Sequence, residues 1–245
     1  MIREIRKKML ILSNRMPFSD IARNCFLDME RKEWITLNMV LEGSALSSRQ
    51  INALVSGGYI LEASIGDHVM VDRLDSLLAV MRKYSAQKRP LDLTLIKAFK
   101  NIFDGEEENN NREYRRKNMM MPELDYMAKL PAEIPEAMEA LGRYLKERTD
   151  IHEGSREGFE AAVKIHNSII EIMPYDENDK VLARAAMLYF LMCEGYPAVL
   201  PELKETDYNE LIFRYLKVGS SWPFEEAIIE AILARLELMI QLTDY

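Results

Sequence analysis

The chain has 245 residues, 48% apolar and 29% charged, which excludes global disorder and allows a sizeable core in one large domain or two small ones. Lys and Arg number 32 against 40 Asp and Glu, a net charge of −8, so a polyanion would meet net repulsion and no nucleic-acid partner is expected. Cys25 and Cys193 show neither CxxC nor Cys/His spacing, which argues against a disulfide framework or a structural zinc site and fits a reducing cytoplasm.

At the N-terminus, Met1 to Lys8 are charged and the apolar stretch Met9 to Leu12 is too short for a signal peptide. Apolar residues at helical intervals predict a helix over Phe18–Glu42. Ser47 with Gln50 has capping-box spacing, and Gly57-Gly58 marks a stop. Further helical patterns cover Val71–Tyr84 and Leu93–Phe103. The acidic run from Asp104 into the basic Arg115-Arg116-Lys117 reads as a mobile, solvated surface loop. Asn118–Pro131, with Met119, Met120 and Met121, reads as an extended arm or hairpin. Helices return over Ile134–Arg148, Arg156–Ile172, Lys180–Glu194 and Asp207–Val218, the last with a start at Asp207 and Glu210. Gly195 and Gly219 serve as stops. Pro223–Leu242 is a long surface helix whose wet stripe is Glu226, Glu230, Glu237 and Gln241. No run reaches the ~18 uninterrupted apolar residues of a membrane span, so no membrane partner is expected. The fold class is all-α, with an N-terminal helical lobe over 1–87 and a helical core over 88–245 forming one compact unit.

Between Val181 and Cys193 every residue is apolar except Arg184, and a helix apolar all round belongs inside a domain. A guanidinium buried alone costs several kcal/mol, about as much as any single defect a domain tolerates, so an acceptor must lie within reach. Asn178 or Asp179 would cap this helix, whose free N–H groups suit an anion, although an ordinary capped start explains the same spacing. Asp176, Glu177 and Asp179 suit Mg²⁺ or Ca²⁺, yet such acids more often complement the helix dipole. His166 lies on an apolar stripe and reads as a hydrogen-bonded core histidine rather than a catalyst; His68 and His152 fall in loops and carry no signal.

The run MPYDENDKVLAR from Met173 to Arg184 resembles the signature HPFx(D/E)GN(G/K)RxxR of Fic-domain proteins. His166, seven residues before Met173, matches the family's LHxxFVxIHPF run, and Gly195-Tyr196-Pro197 matches its GYP. Leu41-Glu42-Gly43 through Gly58 resembles the element carrying the inhibitory glutamate of Fic proteins with an N-terminal inhibitory helix, with Asn38 where Ser or Thr is expected. The resemblance implies a Fic-type helical bundle with a short β-hairpin flap at Met119, Met120 and Met121. It implies AMP transfer from ATP, with Mg²⁺, to a hydroxyl of a protein target that docks along the flap, and relatives often dimerise. In that scheme the motif histidine is the general base, the acidic residue holds the metal, the turn cradles phosphates and the arginines neutralise them.

Carried over residue by residue, Pro174, Glu177, Lys180 and Arg184 keep the pattern, Tyr175 for Phe is a mild change, and Glu177 stands at the metal position. Met173 stands at the histidine, and a thioether cannot take a proton from a hydroxyl. Asn178 replaces a glycine, Asp179 puts an anion where an asparagine should face phosphate, and Val181 removes the first arginine. No catalytic residue is intact. Glu42 is expected to pair with Arg184 as the family's inhibitory pair does. The reading that follows is a protein of the adenylyltransferase family that has lost its activity, or most of it, and acts as a binding or regulatory module. The alternative is an active transferase of AMP or another phosphate-containing group, with Asp176 or Asp179 as base and a metal offsetting the acidic turn.

Overall fold

The computed structural model describes residues 1–148 and 156–243, so His152 lies outside the described residues. Ten α-helices run through them: α1 Ile2–Asn14, α2 Asp20–Leu41, α3 Ser48–Val55, α4 Ile65–Ala86, α5 Leu93–Phe103, α6 Ile134–Glu147, α7 Arg156–Ile172, α8 Asp179–Cys193, α9 Glu205–Val218 and α10 Trp222–Leu242. The only sheet among the described residues is a hairpin in which β1, Met120–Met121, pairs antiparallel with β2, Tyr126–Met127. The fold is therefore all-α with a short hairpin flap. No helix among the described residues is long and apolar enough to cross a membrane.

α8 is the axis of the bundle, since every residue from Val181 to Leu191 is buried. α7 packs along it through Phe159, Ala162, Val163, Ile169 and Ile170, and α4 and α5 flank it through Leu74, Leu78, Phe99 and others. α2 packs on α4 and α3, while α1 packs on α10 through Ile5 and Leu12, so the first and last helices of the chain close on each other. That first helix escapes the apolar-period reading because its buried positions are sparse among charged ones.

Helix starts follow local hydrogen bonding more closely than apolar period. Ser47 and Gln50 form the expected capping box, and Ser64 and Asp67 form a second one that starts α4 at Ile65, ahead of Val71. His68 thus lies in the first turn of α4, with Nδ1 2.9 Å from the Ser64 carbonyl, and not in a loop. α9 starts at Glu205 with Lys204 in the cap position and no side-chain cap, so Asp207 is a first-turn acid rather than the cap. It ends at Gly219, whose φ of 73° suits a residue without a Cβ.

The segment from Asp104 to Arg116 is irregular but not freely solvated. Glu108 accepts from the Tyr84 hydroxyl at 2.7 Å, Arg112 meets Asp104 at 2.7 Å and Glu106 at 2.8 Å, and the Asn101 amide holds the carbonyls of Glu108 and Asn110. Arg115 corrects the reading most. It is buried at 3% exposure, and its guanidinium donates to the carbonyls of Met173 (2.6 Å), Ile172 (3.2 Å), Lys117 (2.6 Å) and Lys129 (2.5 Å). Ile172 ends α7, so one side chain satisfies orphan carbonyls at that helix terminus and clips both feet of the flap to it. Replacing Arg115 by Met leaves these buried acceptors unpaired at about 1–3 kcal/mol each before relaxation. The expected outcome is a loss of about 3 kcal/mol in urea denaturation, with faster amide exchange in the flap than in α8.

Candidate functional site

The turn between α7 and α8 joins two helices that pack side by side, and it leaves its residues little room. Met173 and Asn178 both adopt positive φ, 47° and 62°, a region that costs most side chains about 1–2 kcal/mol. At position 178 the Fic signature has glycine, and asparagine is among the side chains that tolerate this conformation best. The turn's backbone shape thus survives the loss of the glycine. Met173 is buried at 8% exposure, where a thioether packs without needing a partner.

Neither Asn178 nor Asp179 caps α8 with its side chain. Asp179 instead turns inward. It is 1% exposed, its Oδ2 accepts the Tyr175 N–H at 2.9 Å, and its Oδ1 has no partner. Burial pushes its carboxyl well above the usual carboxylate range, against the pull of the Tyr175 N–H, Lys100 and Arg115, and Asp104 adds to the rise. Lys100 is itself buried beside the Tyr175 ring and forms an ion pair with Asp104, so its charge is already engaged. Asp176 and Glu177 are exposed.

These residues do not fit a nucleotide phosphate with its metal. One backbone donor of the turn is taken by Asp179, an unpartnered carboxyl oxygen lies beneath the helix start, and Val181 offers no charge. Among the described residues no three His, Cys, Asp or Glu side chains converge as a metal site would require, and Glu177 alone at the metal position is a weak ligand set.

Deeper in α8 the polar groups are matched in part, with Arg184 Nη1 and Asn167 Nδ2 left without a hydrogen-bond partner. Arg184 is 1% exposed; its Nε donates to Asn38 Oδ1 at 2.8 Å and its Nη2 to Glu42 Oε1. Glu42 occupies the C-cap of α2 and keeps 20% side-chain exposure. Asn38, standing where serine or threonine is expected, supplies the second acceptor and anchors its own amide on the Trp34 carbonyl at 2.8 Å. The guanidinium carbon lies 5.1 Å from the centre of the Tyr208 ring. The Tyr208 hydroxyl bonds His166 Nε2 at 2.7 Å, and His166 Nδ1 lies 2.9 Å from Asn167 Oδ1. His166 is fully buried, and burial, with Arg184 nearby, lowers its pKa to about 3 despite the bond to Asn167. The neutral ring donates at one nitrogen and accepts at the other, the arrangement of a core histidine.

Above the turn lies the flap. Met120 opposes Met127, and both are half exposed, while Met121 and Leu124 are buried. Met119 is partly buried against the core. Lys180 reaches from the first turn of α8 to Glu123 at 2.5 Å, and Lys217 donates to the Asp125 carbonyl at 2.8 Å. The tip of the hairpin is therefore tied to both α8 and α9. Arg115, Glu123 and Tyr208 are the site's neighbours that pattern reading misses, because each acts across a long chain separation and none sits in a motif; Asn38 is visible in the inhibitory element, but its bond to Arg184 is not.

Residues 90–191 match the model of the Fic/DOC family. That stretch is the Fic-like part of the chain. No curated protein matches the chain. Its fold is similar to a Fic domain containing signaling protein from Bacteroides thetaiotaomicron, with a TM-score of 0.78 at 18% identity, covering 99% of this chain and 97% of that one. It is also similar to Fic-1 from C. elegans, TM-score 0.71 at 17% identity over 98% of this chain and 70% of that one. A Fic family protein from Desulfovibrio desulfuricans G20 gives a TM-score of 0.71 at 17% identity over 98% and 74% of the two chains. At such identities the likeness establishes the Fic fold, and the chemistry has to be judged from the residues in place.

Two variants test the energetics of this site. Glu42→Ala strips the carboxylate from a buried guanidinium and is expected to cost about 3 kcal/mol, measured by urea denaturation, because Asn38 alone does not neutralise the charge. Asp179→Asn is expected to stabilise the protein at pH 8. A carboxyl whose folded pKa is raised holds its proton in the native state, so its presence destabilises as pH climbs through that raised value; the amide removes this slope. His166 acts the other way, since its depressed folded value costs stability as pH falls from about 6.5 towards about 3. In the Asp179→Asn protein, melting temperature against pH should therefore keep the fall towards acid and lose the decline that sets in as pH rises above the ordinary carboxylate range.

Proposed function

We propose that this Fic-domain protein has lost AMP transfer, or retains it only in strongly impaired form, and that it works as a binding or regulatory module through the surface around the flap. The observation that carries this reading is Met173, buried in the position where the Fic signature places its general base. General acid–base catalysis contributes about 10²- to 10⁴-fold, and Asp179 is turned away from replacing it, facing the Tyr175 N–H and the protein interior. The inward carboxyl and the missing first arginine act in the same direction on ATP and Mg²⁺, which the family generally uses.

What persists is the framework for holding a protein partner. The hairpin is clipped at its feet by Arg115 and tied at its tip through Glu123 and Lys217. Met120, Met127 and Leu130 present half-exposed apolar side chains along it. Unbranched thioethers suit a partner surface because they adapt their shape at low cost. A protein target, rather than a nucleic acid or a membrane, is the partner this surface fits, and the reading is of a cytoplasmic protein.

The test is transfer of label from ATP in the presence of Mg²⁺ or Mn²⁺ and cell lysate, with the native chain, Glu42→Ala, Met173→His, and Glu177→Ala as control. No label above the control is expected from any of them. Met173→His should stay silent because Asp179 and Val181 still leave phosphate without its cradle. Label with the native chain or with Glu42→Ala would overturn the proposal.

A further inference from the structure

α4 buries Leu74, Leu77, Leu78 and Met81 against α2, α5 and α8, and turns its opposite side to solvent. Along that side exposed positions recur at alternating intervals of four and three residues over the whole 22-residue helix, about 33 Å. Such a repeat of about 3.5 residues is the seam along which two helices pack. Its large apolar members lie at the start, where Ile65 is 85% exposed and Val69 40%. The segment leading into the helix adds Leu61 at 78% and Tyr59 at 86%. Large apolar side chains bared this closely together mark an interaction surface.

The stripe also carries two charges that the chain itself leaves open. Asp72 and Lys83 are exposed; among the described residues Asp72 has no ion-pair partner, and Lys83 has only the Tyr84 ring, its centre 5.3 Å from Nζ. In a pair of helices related by a twofold axis, residue i meets residue j wherever j meets i. With the axis near the middle of α4, between residues 77 and 78, Asp72 faces the partner's Lys83 and Lys83 faces the partner's Asp72. Ser76 then faces the partner's Ala79, Val69 the partner's Ala86 and Ile65 the partner's Pro90, so no charge is set against an apolar side chain. Small residues at the crossing let the helices approach closely. Other arrangements fit worse. A slip of one seam repeat puts Ile65 against the partner's Lys83 or Asp72 against the partner's Pro90, and a parallel pairing sets like charges opposite each other. Charge complementarity thus selects a second, antiparallel copy of the same helix as the occupant.

We propose that α4 is the interface of a twofold dimer of this chain, in which the ion pairs set the register and the apolar side chains at both ends supply the contact. Exposed ion pairs contribute little energy individually, so the dimer is reversible and dissociates on dilution. The turn at Met173 and the flap contribute no residue to this face, so it stands or falls independently of AMP transfer and of the flap's partner.

Sedimentation of the full chain over a concentration series tests this. A monomer–dimer equilibrium is expected by about 100 μM. Asp72→Lys and Lys83→Asp should each weaken the dimer about tenfold or more by setting like charges opposite, while the melting temperature of the dilute monomer stays unchanged because both positions are exposed. Joining the two changes in one chain should restore the dimer. Mixing the two single variants should restore it as well, as a heterodimer with opposite charges at both pairs. A native chain that stays monomeric, a dimer indifferent to either single change, or a mixture no tighter than its components would each overturn the proposal.

Discussion

The buried charge of Arg184 organises this protein. A helix that is apolar on every side has to run through the centre of the bundle, and an arginine in its second turn brings a cation there. Removing that ion from water is tolerable only with acceptors in place. α2 supplies both, Asn38 from its last full turn and Glu42 from its C-cap. The need to compensate one guanidinium therefore fixes how the N-terminal helices dock on the Fic-like part of the chain. His166, Tyr208 and Asn167 extend the same polar seam, and their mutual hydrogen bonds keep a neutral imidazole comfortable at full burial.

In the turn that matches the Fic signature the side chains are engaged in packing. Met173 fills space where a base should be, Asn178 keeps the left-handed backbone of a glycine, and Asp179 spends its carboxyl on the Tyr175 amide. Met173 and Asn178 suit their places in the fold, whereas Asp179 leaves one buried carboxyl oxygen unpartnered at a cost in stability. Each also works against a bound phosphate, which needs open backbone donors and positive charge. The fold consequently retains the shape of a Fic site while its hydrogen bonds have turned inward.

Arg115 departs from what its sequence neighbours suggest. Its sequence neighbours are charged and polar, so it looks like part of a solvated loop. In the folded chain it donates to four carbonyls from three stretches of backbone and sets where the flap sits relative to α7. The acidic loop that precedes it is likewise held by Tyr84, Asn101 and Arg112. Local composition describes what a segment prefers in isolation, and a long arginine can overrule it by finding acceptors far away in sequence.

Much of the architecture was legible from pattern alone. The bounds Leu93–Phe103 agree with α5 to the residue and the end at Ile172 with that of α7, the capping box at Ser47 is present, and the lone arginine of α8 forces the expectation of a carboxylate partner. Helical period, caps and the cost of a buried charge are properties of short stretches, so the sequence states them without help. The resemblance of MPYDENDKVLAR to the Fic signature was equally visible, because it lies within one turn and one helix start. Only the tertiary structure could decide the direction of the Asp179 carboxyl, the four acceptors of Arg115, the hand-over from Lys180 to Glu123, and which face of α4 is left bare. Those depend on which distant backbones meet, and that is settled by the packing of whole helices rather than by any run of residues.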